Sequence, residues 1–121
     1  MTTTFETLAQ SRYVALTTFR RDGSPVSTAV WVARDGASLV VVTGPNSGKV
    51  RRLRANPAVT VAPCDIRGRV KGEAIPGHAV VLDADGTVRV RELIVRRYGL
   101  LARFFARGDV SESVGLSITL D

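Results

Sequence analysis

The sequence predicts a mainly β protein, an antiparallel barrel accompanied by short helices, and three observations carry that prediction. Short runs rich in Val and Thr recur along the chain, Gly, Pro and Asp punctuate them, and few stretches show helical spacing of apolar residues. Hydrophobic residues make up 45% and charged residues 23% of the 121 positions, the balance of a globular chain rather than a disordered one. That length suits one domain over residues 1–121, able to bury about two-thirds of the surface its unfolded form exposes.

Phe5-Glu6-Thr7-Leu8-Ala9 reads as a short helix with Thr4 as its cap, and Tyr13–Phe19 alternates like a strand. Arg21-Asp22-Gly23-Ser24-Pro25 signals a turn into a strand over Val26–Val32, and Arg34-Asp35-Gly36 a second turn into Leu39–Thr43, so these strands are expected as a three-stranded meander. Val50 and Leu53, three apart, predict a helix over Lys49–Ala55 that Asn56-Pro57 stops. Val59–Asp65 and Arg69–Leu82 read as further strands, the second bent at Gly72 or Pro76-Gly77 because proline is excluded from a central ladder. Val90, Leu93, Ile94, Tyr98, Leu101, Phe104 and Phe105 give Thr87–Ala106 a helical spacing with an interruption at Gly99, and Ser117–Leu120 closes the chain as a strand.

Seventeen Lys and Arg against 11 Asp and Glu give a net charge of +6, which implies an anionic partner. Nucleic acid is the weaker candidate, because the basic residues lack the interleaved aromatics of a single-strand platform. Cys64, the one cysteine, excludes an internal disulfide and a cysteine metal cluster, and is expected as a small buried hydrophobe in a cytoplasmic protein. The sole histidine, His78, has no ligand spacing around it, so no metal site is expected, and no apolar run approaches the roughly 20 residues of a membrane span.

The most informative stretch is Thr43-Gly44-Pro45-Asn46-Ser47-Gly48-Lys49-Val50-Arg51-Arg52-Leu53-Arg54. An apolar strand runs there into a small-residue turn and then a basic helix start, whose free N–H groups and positive dipole end favour an anion. A solvated basic helix face behind an ordinary turn is the plainer reading of the same residues.

The order Tyr13-Val14-Ala15-Leu16-Thr17-Thr18, Gly23-Ser24-Pro25-Val26-Ser27-Thr28, Val30-Trp31, Thr43, Ser47-Gly48-Lys49-Val50, Leu53-Arg54, Asn56-Pro57, Val59 and Cys64-Asp65 resembles the pyridoxamine-phosphate-oxidase-like split-barrel flavoproteins. More closely it resembles their deazaflavin branch, the flavin/deazaflavin oxidoreductase B group that uses coenzyme F420. The resemblance implies a six-stranded antiparallel split β-barrel forming a homodimer, with the coenzyme between the subunits. It assigns Ser27, Thr28, Ala29, Val30, Trp31 and Val32 to the strand lining the coenzyme ring and Thr43 to the end of the next strand. Ser47, Gly48 and Lys49 match its phosphate element, Arg52 and Arg54 follow along the coenzyme's anionic tail, and Arg67 reaches across the subunit interface. Thr28 and Trp31 are an odd number of residues apart, so only one of them points at the ring, and Trp31 suits the core or the interface.

Relatives that bind flavin phosphate often carry Arg or Lys where this chain has Ser27 and Val32, a departure that weakens the case for a tightly held FMN and is compatible with F420. The implied activity is hydride transfer from reduced F420 to a small conjugated or unsaturated acceptor, with no catalytic residue assigned because the cofactor carries the chemistry. An FMN-binding reductase or oxidase and a noncatalytic F420 carrier are the competing functions.

Overall fold

In the computed structural model, which describes residues 3–99 and 113–121, the chain runs α1 (Phe5–Gln10), β1 (Tyr13–Phe19), β2 (Pro25–Trp31), β3 (Ala33–Asp35) and β4 (Ser38–Thr43). It continues through α2 (Gly48–Ala55), β5 (Ala58–Cys64), β6 (Ile75–Val81), α3 (Ala84–Tyr98) and β7 (Val114–Leu120). One antiparallel sheet holds the strands in the order β2-β1-β5-β6-β7-β4-β3. The two ends of that order, β2 and β3, are separated in the chain by Val32 alone, so one bent strand joins both edges and the sheet curls into a barrel. Counted as one, β2 and β3 make the six strands that the resemblance implies.

Side-chain alternation continues through the bend. Val30 and Val32 face the interior with Val14, Leu16, Leu39, Val41, Val61, Leu116 and Ile118, while Trp31 and Ala33 face α3 with Val40, Val90 and Ile94. Leu8 and Leu53 join the interior cluster from α1 and α2, and each such buried aliphatic side chain contributes about 1.5–3 kcal/mol. What changes at Val32 is the ladder partner: β2 pairs with β1, and β3 pairs with β4. Val32 is fully buried and belongs to neither ladder, so its backbone needs other partners. Its N–H donates to the Tyr98 hydroxyl at 3.3 Å, and its carbonyl accepts from Arg97 Nη1 at 2.6 Å. The single Tyr98 proton has the Val32 carbonyl at 2.7 Å and the Arg12 carbonyl at 2.9 Å within reach.

The expected meander is therefore corrected: β2 and β4 are not bonded to each other, because the chain leaves one edge of the sheet for the other between them. Arg34 and Asp35 belong to β3 rather than to a turn, and the reversal is Gly36-Ala37, with Gly36 at φ +61° as a two-residue hairpin requires. Asp35 is held there by a two-point ion pair with Arg89 of α3, at 2.8 and 3.0 Å. The strand expected over Arg69–Leu82 shortens to β6. Asp65 Oδ1 accepts from the N–H groups of Arg67 and Arg69, folding that stretch into a turn with Gly68 at φ +84°. Pro76 lies just outside the β6–β7 register, which begins at Gly77, and there a Cβ would come 2.6 Å from the Thr119 carbonyl oxygen.

The last helix begins earlier than expected, at Ala84, because Asp83 accepts from Gly86 N–H as its cap, and it ends at Tyr98 with Gly99 at φ +79°. Leu101, Phe104, Phe105 and the rest of the expected continuation to Ala106 lie outside the described residues. No helix among the described residues is long and apolar enough to cross a membrane.

Replacing Tyr98 by Phe removes the hydroxyl that serves Val32 while keeping the ring. Urea unfolding is expected to show a loss of about 1–3 kcal/mol, the cost of a buried backbone group left unpaired.

Candidate functional site

Beyond Val32 the bent strand and β4 part company. From Pro25 to Val30, β2 is paired only with β1, and from Val41 to Thr43, β4 is paired only with β7. Two backbone edges without ladder partners among the described strands thus flank an opening in the barrel. Thr43 ends β4 there, and the Gly44–Asn46 turn leads to α2, with Ser47 N–H donating to the Gly44 carbonyl at 3.1 Å. Ser47 Oγ accepts from Val50 N–H at 3.4 Å as the helix cap and from the Thr43 hydroxyl at 3.3 Å. One small side chain thereby ties the end of β4 to the start of α2.

Val50 and Leu53 bury the inner face of α2 and fix where its cations sit. Arg52 Nε donates to the hydroxyl of fully buried Thr18 at 2.6 Å, and its guanidinium folds back over the helix start. Gly48 makes that fold possible, since a Cβ there would lie 2.6 Å from Arg52 Nη1. Lys49 is half-buried beside it. Burial first, and the Arg52 charge second, hold its ammonium below the ordinary lysine value of 10.5. The first turn of α2 carries no acid, and no ion pair or hydrogen bond joins Lys49 to another described residue. Two neighbouring cations at the positive end of a helix, one of them half-buried and without a counterion among the described residues, favour an anion there.

The residues suggested by sequence separate into groups. Thr43, Ser47, Gly48, Lys49 and Arg52 converge on the α2 start. Ser27 is exposed on the open edge, and Thr28 opposite Leu16 has its Oγ1 buried with no hydrogen-bond partner. Ala29 follows on β2, Val30 packs on the interior core, and Trp31 stacks on Tyr98 with ring centroids 4.8 Å apart and planes 14° from parallel. Val32 is enclosed, its backbone taken by Arg97 and Tyr98.

Arg54 lies elsewhere, in a groove that α2 forms with Pro57 and residues 79–83. Arg67 follows the Cys64 end of β5, whereas Thr18, which Arg52 touches, lies at the opposite end of the β1–β5 ladder. Sequence reasoning missed Thr18, a polar residue inside an otherwise strand-like run, and its signal was that a Thr on the interior face needs a partner. No three His, Cys, Asp or Glu side chains gather among the described residues.

A family model described as pyridoxamine 5'-phosphate oxidase matches residues 2–113. The chain belongs to that family. Among solved structures, this pyridoxamine 5'-phosphate oxidase family member is 26% identical to an F420 reductase, covering 100% of this chain and 96% of that one with a TM-score of 0.67. It also resembles a conserved hypothetical protein from Mycobacterium tuberculosis, at 24% identity, 96% and 77% coverage and a TM-score of 0.73. A FAD-binding protein from Mesorhizobium loti follows at 21% identity, 96% and 86% coverage and a TM-score of 0.71. The last two establish the fold alone. No match was found among curated proteins.

The half-buried Lys49 ammonium, held below its ordinary value mainly by burial, opposes folding while it is charged. With the folded value of Lys49 below 10.5, the unfolded chain binds the proton more readily, so the penalty is complete below the folded value and disappears as pH rises to 10.5. Lys49→Met is expected to raise the melting temperature of the ligand-free protein at pH 7. The difference from wild type should shrink toward pH 10.5, as read by thermal unfolding at a series of pH values.

Proposed function

We propose that this family member is an F420H2-dependent oxidoreductase that passes a hydride to a small conjugated or unsaturated acceptor. The observation that carries the proposal is the half-buried Lys49, unpaired beside Arg52 where α2 begins. A coenzyme phosphate fits this donor set: the ammonium and guanidinium supply charge, while the Ser47 hydroxyl and the first N–H groups of α2 supply hydrogen bonds. The 26% identity to an F420 reductase supports the deazaflavin over FMN, as does the lack of Arg or Lys at Ser27, which is exposed on the open edge, whereas Val32 is enclosed and does not bear on the choice.

Bound in its reduced form, the coenzyme supplies the hydride. The protein holds and orients it. The open edge of β2 over Ser27–Val30 offers backbone N–H and C=O groups to the polar rim of the ring, and Thr28 Oγ1 is a buried hydroxyl without a partner beside that edge. Trp31, stacked on Tyr98, supports the strand from behind. In this reading Arg67 reaches a coenzyme only from a second copy of the chain, because within one copy it lies at the far end of the β1–β5 ladder. A homodimer with shared sites is therefore part of the proposal. Acyl or phosphoryl hydrolysis has no comparable support: His78 contacts exposed Asp121 at 2.7 Å, and Cys64 is buried with its thiol pushed up by burial.

Titrating cofactor-stripped protein with F420 and with FMN, followed by coenzyme fluorescence, is expected to show preferential F420 binding. Lys49→Met should weaken that binding by about tenfold or more, the loss expected for a charge-assisted hydrogen bond. Preference for FMN would overturn the deazaflavin reading, and binding of neither would overturn a coenzyme site altogether.

A further inference from the structure

Four arginines converge on a second feature. Arg20 and Arg21, in the loop after β1, face Arg51 and Arg52 of α2 across a hollow of about 760 Å³, with Phe19 and Ala55 as its apolar wall and Asn56 at its rim. No carboxylate among the described residues lines it. Asp22, the acid nearest in sequence, has its Oδ1 engaged by the N–H and hydroxyl of Ser24, at 2.9 and 2.7 Å. Asn56 Oδ1 accepts from Ala58 N–H at 3.1 Å, which leaves its amide N–H groups as the remaining polar offer at the rim. Among the described residues no ion pair like those of Arg34 and Arg89 ties down these four guanidinium groups, though Arg20 Nη1 donates to Ser24 Oγ at 3.3 Å beside Asp22 and Arg52 Nε to the Thr18 hydroxyl.

We propose that this hollow is a second anion site, for a compact ligand carrying two or more phosphoryl groups, and that Arg52 couples it to the Lys49 site. The ligand class follows from charge and shape. Four guanidinium forks gathered around a space wider than a single phosphate call for several anionic oxygens in sequence, and Phe19 and Ala55 accommodate an attached organic group. The coupling follows from Arg52, which belongs to both places: it lines the hollow while lying over Gly48, and its charge acts on Lys49. An anion that neutralises Arg52 from the hollow takes positive charge away from the Lys49 site, so each site weakens the other without excluding it. The coupling rests on the Lys49 site proposed above; the hollow itself does not.

Inorganic pyrophosphate is the first probe and ADP the second. In amide-resolved NMR of the wild-type protein, pyrophosphate should shift the signals of residues 19–21 and 51–56, and calorimetry should show an affinity that falls about tenfold or more in the Arg20→Gln/Arg21→Gln variant. Tighter binding of ADP than of pyrophosphate assigns the apolar wall to the organic group, and equal binding assigns the site to the phosphoryl groups alone; either outcome supports the site. Saturating pyrophosphate should also weaken F420 about fivefold, and the double variant should lose that effect. Equal pyrophosphate affinity in wild type and double variant, or shifts confined to residues 47–50, would overturn the second site. F420 affinity that saturating pyrophosphate leaves unchanged would overturn the coupling, and strict mutual exclusion of the two ligands would overturn a separate second site. Failure of F420 to bind, with the pyrophosphate shifts intact, would remove the proposed function and leave the hollow standing.

Discussion

A strand that leaves one edge of a sheet and joins the other must abandon one ladder before it enters the next. Val32 is the residue where this happens, and because it is fully buried no solvent replaces the lost ladder bonds. The end of α3 supplies them through the Tyr98 hydroxyl and the Arg97 guanidinium. The same contact fixes α3 over the outer face, seats Trp31 against Tyr98 and completes the second core of Ala33, Val40, Val90 and Ile94. Fold closure and helix docking are one constraint here, carried by backbone groups that each cost about 1–3 kcal/mol if buried unpaired.

The opening beside the proposed site follows from the same bend. Once β2 and β3 take different partners, the stretch before Val32 and the last residues of β4 have nothing to bond across the gap. The chain then places α2 at that gap, anchored inward by Val50 and Leu53 and capped by Ser47. Packing thus forces Lys49 out of full solvation beside Arg52, which disfavours the free protein and favours an anion.

Much of this was legible in the residues. Val-rich and Thr-rich runs marked the strands, Thr4 and Ser47 marked helix starts, and the Thr43–Arg54 junction marked the passage from β4 into a basic helix, because each of these signals is local. The bend at Val32 was not legible: alternation continues unbroken from Val30 to Ala33, so the change of partner leaves no trace in hydrophobic period. Nor was the division of the arginines. Helical position predicts that Arg51, Arg52 and Arg54 lie near one another, yet only tertiary packing decides that Arg52 turns to Thr18, that Arg51 meets the β1–β2 loop and that Arg54 faces β6. The turn after Asp65 was hidden for a related reason, since its organising bonds run from backbone N–H groups to one carboxylate oxygen.

The most direct measurement is the ionisation of Lys49 itself, followed by NMR of the side-chain Nζ in the free protein and with F420 bound. The free ammonium should titrate below the usual lysine value of 10.5, and bound coenzyme should raise it, because a phosphate replaces the missing counterion. A Lys49 value that is ordinary in the free protein, or that does not move when the coenzyme binds, would contradict an anion site at the start of α2.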